Sequence, residues 1–464
     1  MRFLKPGQFT LTAVAVLSLC VSVGASAETL EDALVAAYNT NPSLMAERAR
    51  LRATDETASQ ARAGWRPTIT LNSSITSSQN RRLISTSFLG GTVGATLSNL
   101  YSQQAAGSIT GTQPLFRGGR TINETRSADA QVRAVRAQVW AAEQQVLLDT
   151  VTAFMDVIRD RATVDLNKHN VAVLQRELEA SQDRFRVGEI TRTDVAQSQA
   201  RLSGSKSNLA VSVAQLAEST SRYEVVVGQV PGSLEDMPGL PVLPSSKAEA
   251  IEIASANNPN LISAQETESA SKHDINKAKG VLLPSIDLMA QYNVGNEVDQ
   301  PNSDLKSSIF SAQLTWPLYQ GGAQHSRIRQ AKQLHSQSRL LVSGAQRQVV
   351  QSATNAWEVL ASARTTIISS EEQVRANEIA FEGVQQEAQV GSRTTLDVLD
   401  AEQELLDSRV ALVRAKREEY VSAYQLIAAI GRLTGRDLGL PVELYDPEKN
   451  YKDVRRQIFG LGID

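Results

Sequence analysis

Three aspartates near two Val-Gly pairs are the residues whose types and spacing best indicate chemistry. Asp194 and Asp397 each follow a Val-Gly pair, at equivalent positions of two similar stretches. Asp400 lies three residues beyond Asp397, and residues three apart share one side of a helix. Clustered carboxylates attract cations and repel anions. The structural alternative is that acids in the first turn of a helix are favoured by the helix dipole.

The two stretches differ at Asp400, whose counterpart in the other stretch is Gln197. A helix-capping requirement common to both stretches therefore does not explain Asp400, whereas it could explain Asp194 and Asp397. Asp397 and Asp400 are the candidate pair for cation attraction, and the helix-dipole interpretation stays open for Asp194 and Asp397.

Other reactive side chains show no catalytic or metal-binding pattern. The histidines lie on helix-patterned segments without the spacing of metal ligands, and they are His169, His273, His325 and His335. The Gly-Gly pairs at 118 and 321 lack the lysine and spacing of a phosphate-binding loop, so we interpret them as turns. We therefore predict that the chain is not an enzyme and uses no metal or cofactor.

The N-terminus has the order of a secretory signal peptide. Arg2 and Lys5 precede an apolar run from about 11 to 23, and the small residues Ala-Ser-Ala follow at 25–27. A membrane anchor is the alternative, but the run is shorter than the roughly 20 residues that span a bilayer. We predict that residues 1–27 are removed on export.

The remaining composition excludes several partner classes. The one cysteine, Cys20, lies in the predicted signal peptide and follows Leu19, where a lipoprotein signal needs a small residue. The exported chain then has neither a lipid-modified cysteine nor a disulfide. The net charge of −3 does not provide the basic face that nucleic acid requires. No later apolar run is long enough for a membrane helix, so strands must make any membrane crossing.

The sequence contains two tandem repeats. Asn-Pro at 41 recurs at 258, a displacement of 217, whereas Pro-Leu-Phe-Arg-Gly-Gly at 114 recurs as Pro-Leu-Tyr-Gln-Gly-Gly at 317, a displacement of 203. The difference of 14 residues falls between the two strand-like segments of each half. We therefore predict that the length change lies in a hairpin loop, where insertions are tolerated.

Each repeat is predicted to contain two strands and two long helices. The predicted first repeat spans 28–230, with strands at about 67–79 and 104–116 and helices at about 120–187 and 191–227. A Pro-rich linker at 231–247 follows. The second repeat spans 248–440, with strands at about 284–296 and 307–319 and helices at about 323–390 and 394–434. The polar C-terminal tail, 441–464, is assigned no role.

The helices have coiled-coil spacing. One heptad stripe runs through Val195, Leu202, Leu209, Leu216 and Tyr223, and its repeat runs through Val398, Leu405, Leu412, Glu419 and Leu426. Sustained heptads make helices wrap around neighbours, and a helix over 120–187 would be about 100 Å long. The helices alone fit a soluble coiled-coil rod equally well.

The strand candidates favour a membrane protein over a rod. Apolar residues alternate with mostly polar ones, as in Ile286, Leu288, Ala290, Tyr292 and Val294, and about 9 to 11 residues suffice for a strand to cross a bilayer. Aromatic residues near the strand ends fit an interfacial belt or a strand-end core, and they are Trp65, Phe116, Trp316 and Tyr319. Four strands leave two open edges, so several chains must share one barrel. Three chains are the smallest number that leaves room for a pore.

These features resemble the TolC family of outer-membrane efflux and secretion channels. The resemblance rests on the doubled helix-strand-strand-helix plan, the Gly-Gly turns and the segments at 184–195 and 390–401, and it spans nearly the whole exported chain. It implies an α+β membrane protein, a homotrimer with a twelve-stranded β-barrel in the outer membrane above a twelve-helix α-barrel in the periplasm. It also implies a periplasmic adaptor and an inner-membrane efflux pump or ABC transporter as partners.

The resemblance also assigns residues at the periplasmic entrance. The acidic rings of the entrance map onto Asp397 and Asp400, and the hydrogen-bond and ion-pair links of the closed gate map onto Thr193, Asp194 and Arg393. The gate tyrosine of the family falls at Ala388, which removes one hydroxyl link. The alternative function is a soluble periplasmic coiled-coil adaptor or structural rod, which would need no alternating strand pairs.

Overall fold

The structure is a computed structural model that describes residues 27–88, 90–235, 237, 239–296, 303–455, 457–460 and 462. The predicted signal peptide lies outside the described residues except for Ala27, and so does the tip of the second predicted hairpin, 297–302. Within the described part of the chain, no helix is long and apolar enough to cross a membrane.

Helices and strands follow one another in the same order in both halves. The first half contains α1 (Leu30–Thr40), α2 (Pro42–Ala63), β1 (Thr68–Phe88), β2 (Gly91–Arg117), α3 (Arg120–Arg186) and α4 (Arg192–Val227). The second contains α5 (Lys247–Asn257), α6 (Pro259–Gly280), β3 (Ser285–Asn296), β4 (Asp304–Thr315), α7 (Ala323–Gln389) and α8 (Thr395–Ala429). A short helix, α9 (Lys449–Val454), follows.

The repeated Asn-Pro pairs begin α2 and α6. The Asn41 side chain accepts a hydrogen bond from the Ser43 N–H at 3.0 Å, and Asn258 does the same for Asn260 at 3.0 Å. The proline that follows each asparagine has no N–H to leave unsatisfied in the first helical turn. Asparagine caps and proline first turns therefore separate each short helix pair.

The long helices extend most of the length of the molecule. Helices α3 and α7 contain 67 residues each, so each is about 100 Å long. Helix α8 ends at Ala429, before the predicted boundary at 434. Gly431 has a φ of 81°, and a Cβ there would lie 2.5 Å from the Asn257 carbonyl oxygen. This left-handed glycine allows the chain to turn away from α8 beside the start of α6.

The four strands form one antiparallel sheet in the order β1-β2-β3-β4, so β2 and β3 join the two halves. The predicted bounds of the first strand pair were wrong. Strands β1 and β2 contain 21 and 27 residues, and their pairing continues through the predicted polar loop to Phe88 and Gly91. Backbone hydrogen bonds stabilise such a ladder without apolar side chains, which is why the polar composition hid it.

The main core lies where α1, α3, α4 and α8 meet. Its largest buried side chains include Phe154 of α3 and Tyr223 of α4, whose rings are 6.5 Å apart between centroids. Beside the core, Asp156 of α3 accepts hydrogen bonds from Arg159 at 2.8 Å and from Arg417 of α8 at 2.9 Å. Apolar packing and a partly buried ion-pair network thus hold the two long helix pairs together.

The C-terminal segment packs on the first half, although its sequence indicated no role. Residues 441–455 lie along α2 and α3, where the Asn450 amide donates to Asp55 at 2.8 Å and the Tyr451 hydroxyl donates to Asp129 at 2.8 Å. Arg136 of α3 forms an ion pair with Glu448 at 3.4 Å. The segment therefore covers the first third of α3, around Asp129 and Arg136.

Candidate functional site: a two-faced sheet and a helical entrance

Most apolar residues of the four strands lie in register on one face of the sheet. Ile69 pairs with Gly111, Gly111 with Ala290, and Ala290 with Phe310. The side chains of this face are exposed, up to 83% at Phe310. Exposed apolar surface of this extent is unfavourable in water and is typical of a membrane or protein interaction surface.

The opposite face of the sheet is polar. Asn72, Ser108, Asn293 and Ser307 form one row across the four strands, and the Asn293 amide donates to the Ser307 hydroxyl at 3.1 Å. A sheet that is apolar on one face and polar on the other can separate lipid from water.

Aromatic side chains lie where the sheet meets the helices. Trp65, Phe116, Trp316 and Tyr319 are all at least 41% exposed. The Trp316 indole N–H donates to the Leu282 carbonyl at 3.2 Å while much of the ring stays accessible. This exposure favours the interfacial belt over the alternative of a strand-end core.

The turns at the far ends of the long helices contain the residues of the predicted entrance. Gly188 joins α3 to α4 and Gly391 joins α7 to α8, with φ values of 83° and 82°. Both turns need the left-handed conformation, which glycine adopts without steric cost. The repeated Val-Gly pairs therefore mark two tight reversals at one end of the molecule.

Asp194 and Asp397 both belong to capping boxes. The backbone N–H and the hydroxyl of Thr191 each donate to Asp194 at 2.8 Å, and Thr394 donates to Asp397 at 2.9 and 2.8 Å. Backbone and hydroxyl hydrogen bonds from these threonines lower the pKa of both carboxyl groups. Both aspartates thus cap helices as the structural alternative expects, and they are ionised at the turns.

Asp400 has a different partner. Arg201 of α4 donates to an Asp400 oxygen from 199 positions away in the sequence. The Asp400 side chain remains 55% exposed, and the Arg201 guanidinium partly offsets its charge. No sequence pattern indicated Arg201, because only the packing of α4 near α8 brings it to Asp400.

The predicted gate residues do not form one network within the protomer. Arg393 forms an ion pair with Glu387 at 2.9 Å across its own turn, and Glu387 raises the pKa of Arg393. Asp194 is engaged by Thr191, and the Thr193 side chain is exposed. Ala388, at the position of the family's tyrosine, lies in the last turn of α7.

A buried carboxyl group in α8, close to Asp400, was missed in the sequence. Glu402 of α8 is only 8% exposed and lies two positions beyond Asp400. Burial and the neighbouring Glu177 raise its pKa to about 7. The heptad pattern could have indicated Glu402, because it lies four positions after Val398 and three before Leu405, on the same side of the helix as these stripe residues.

Comparison with known proteins places this architecture in a family. The chain is 34% identical over 454 residues to the outer membrane efflux protein BepC of Brucella suis, covering 97% of this chain and 96% of that protein. It is 24% identical to outer membrane protein TolC of Escherichia coli, over 89% of this chain and 84% of that one. The solved structure of the outer-membrane channel OprN matches with a TM-score of 0.74 and 19% identity, over 87% of this chain and 89% of that one.

The family model described as outer membrane efflux protein matches two segments, 33–228 and 250–432. The segments correspond closely to the two halves of the fold, and the break between them falls in the Pro-rich linker. The chain belongs to the outer membrane efflux protein family.

Proposed function

We propose that three copies of this chain form an exit duct across the outer membrane for efflux or type I secretion. A periplasmic adaptor would connect the duct to an inner-membrane efflux pump or ABC transporter. As a member of its family, the chain is an outer-membrane channel protein and not an enzyme. The observation that carries the proposal is the exposed apolar face of the sheet, which is continuous in the chain with the long helices.

The sheet supports sharing of one barrel. Strands β1 and β4 each have one paired neighbour among the described strands. Unpaired backbone groups are costly in lipid, so the β4 edge of one copy must pair with the β1 edge of the next. Three copies give twelve strands, which leave an open interior, whereas eight are filled by side chains.

The helices support the same ring. In the first half, α3 packs between α2 and α6, with Lys277 of α6 2.7 Å from Glu124 of α3. The position equivalent to Glu124 in α7 is Arg327, which is exposed, and Leu334 and Leu341 on the same side of α7 are 53% and 60% exposed. A second α2 would cover this side, and only another copy can supply it.

The entrance charges fit control of ion flow. In a trimer, Asp397 and Asp400 would form two rings of three carboxylates, which attract cations and repel anions. Thr193, Asp194 and Arg393 would link neighbouring copies rather than residues of one copy. Each such link contributes about 1 kcal/mol or less to the stability of the closed state when it is partly exposed. The contributions of the links in symmetric copies add together.

Reconstitution tests the proposal against a soluble coiled-coil rod. We expect the full exported chain to be extracted from outer membranes with detergent as a trimer and to conduct ions in a planar bilayer. A rod would instead fractionate with soluble periplasmic protein as an elongated particle without conductance, which would refute the duct.

A further inference from the structure

The start of α7 lies in a stretch without acidic residues. Residues 305–357 contain no aspartate or glutamate, although the whole chain contains 50. The same stretch contains six lysines and arginines. The repeat-equivalent stretch of the first half, 102–154, contains four acidic residues, so the requirements of the shared fold do not explain this difference.

Three of these cations share one side of α7. Arg329, Lys332 and Arg339 are spaced by three and seven residues, which places them on one helical face, and all three are exposed. We name them the basic face. Within the described part of the chain, none of the three forms an ion pair, whereas other exposed cations such as Arg375 do.

The repeat shows which way the basic face points. Lys332 and Arg339 are equivalent to Asp129 and Arg136 of α3. Those two residues contact the C-terminal segment: Tyr451 donates to Asp129 at 2.8 Å, and the Arg136 guanidinium lies 5.0 Å from the centre of the Tyr451 ring. The same side of α3 is therefore covered by a polypeptide segment. Among the described residues, the corresponding side of α7 has no such cover.

We propose that the basic face of α7 binds an acidic polypeptide segment of another periplasmic protein. The segment would lie along α7 as residues 441–455 lie along α3, with aspartate or glutamate side chains against Lys332 and Arg339. In the first half, the C-terminal segment lies on this side of α3, so this side of the fold can hold a polypeptide. The change from Asp129 to the equivalent Lys332 means that the ligand of α7 should carry negative charge.

The position of the basic face favours a polypeptide over lipid headgroups. Helix α7 begins next to the sheet, and Lys332 and Arg339 lie about 15 and 25 Å further along it. Headgroups bordering the sheet would reach the first turns of α7 but not Arg339. The inference concerns the outside of the helices, so it does not depend on conductance.

The test measures binding of a defined probe to the purified full-length exported chain in detergent. The probe is a fluorescent 15-residue glutamate-rich peptide, and anisotropy gives its dissociation constant at about 0.15 M salt, where distant charges are screened. We expect Lys332→Gln with Arg339→Gln to weaken binding about tenfold or more. Arg192→Gln with Lys206→Gln removes the same charge from exposed positions of α4 and should leave binding unchanged.

Hydrogen exchange locates the probe and completes the test. Protection within residues 323–347 that disappears in the Lys332→Gln, Arg339→Gln variant would support the proposal. Equal loss of binding in both variants would show unspecific charge attraction and would overturn it. Binding to anionic phospholipid vesicles without binding to the peptide would also overturn it. If the Lys332→Gln, Arg339→Gln variant loses peptide binding but still conducts ions, the loss concerns the basic face and not the proposed duct.

Discussion

Asp397 caps a helix and keeps its negative charge. Its carboxylate accepts both hydrogen bonds of a capping box, and these bonds favour the ionised form. A structural cap and a charged entrance are therefore compatible rather than exclusive. Asp400 caps nothing and forms an ion pair with Arg201, so within one protomer its charge is partly offset.

Removing the entrance acids should change ion selectivity. We expect the Asp397→Asn, Asp400→Asn variant to lose the cation preference of the channel, because six carboxylates would leave the mouth of a trimer. Reversal potentials in a planar bilayer under a salt gradient measure this preference. Glu404→Gln is the matched control, because it removes an exposed carboxylate from the same helix without touching the pair. Unchanged selectivity in the double variant would refute the entrance rings.

Glu402 should make stability depend on pH. Its pKa is raised from 4.5 to about 7, so the folded state retains the proton that the unfolded state loses. The stabilising contribution of Glu402 is therefore complete below about pH 4.5 and is lost as the pH rises through about 7. Glu402→Gln should remove this loss and stabilise the protein at pH 8 by on the order of 2 kcal/mol.

Thermal unfolding of the purified chain at pH 4.5 and 8 measures the effect of Glu402. Glu404→Gln is the control, because Glu404 is exposed on the same helix. If the wild-type protein and Glu402→Gln lose the same stability between the two pH values, the carboxyl group does not titrate in the folded protein near pH 7.

Among the elements, the C-terminal segment makes the outer side of the first repeat different from that of the second. It turns α3 into a helix covered on its outer side, whereas α7 stays uncovered at the equivalent level. The contacts are polar and specific: Asp55 is 1% exposed and accepts from Asn450. A buried carboxyl group depends strongly on such a partner.

Loss of the Asn450 amide should loosen the C-terminal segment. Asn450→Ala leaves a buried Asp55 oxygen without its donor, and we expect a loss of about 1 to 3 kcal/mol. Limited proteolysis should then cleave within 441–455 earlier than in the wild-type chain. Lys449→Ala changes an exposed neighbour and should cleave at the wild-type rate. Equal resistance of the Asn450→Ala chain would show that the segment is held by other contacts.

For the molecule as a whole, the register of the sheet decides which side chains share its apolar face. Phe310 and Ile309 are neighbours in β4, yet they lie on opposite faces because side chains alternate along a strand. Phe310 belongs to the apolar face, beside Ala290 in the middle of β3. The pair thus offers a test of orientation with a one-residue difference.

Arginine should impair membrane assembly at position 310 but not at position 309. We expect Phe310→Arg to cost about 2 to 4 kcal/mol per chain, because a lipid-facing arginine near the bilayer midplane is unfavourable. Ile309→Arg would project into the aqueous interior and should assemble normally. The yield of trimer in the outer-membrane fraction measures both. Equal yields would contradict the assigned faces.

The sequence by itself determined the repeats, the long helices and the alternation of the strands. These features depend on local periodicity: heptads, caps such as Asn41 and left-handed glycines such as Gly188 act within a few residues. The predicted bounds of α3 therefore lie within one residue of the observed ones. The family resemblance also followed from these local motifs.

Only the tertiary structure decided which distant residues meet. It joined β2 to β3, brought Arg201 to Asp400, buried Glu402 and placed the C-terminal segment on α3. It also extended the first hairpin through a polar stretch, because pairing through the backbone leaves no periodic signal in side chains. Contacts between residues hundreds of positions apart depend on packing geometry, which no local pattern records.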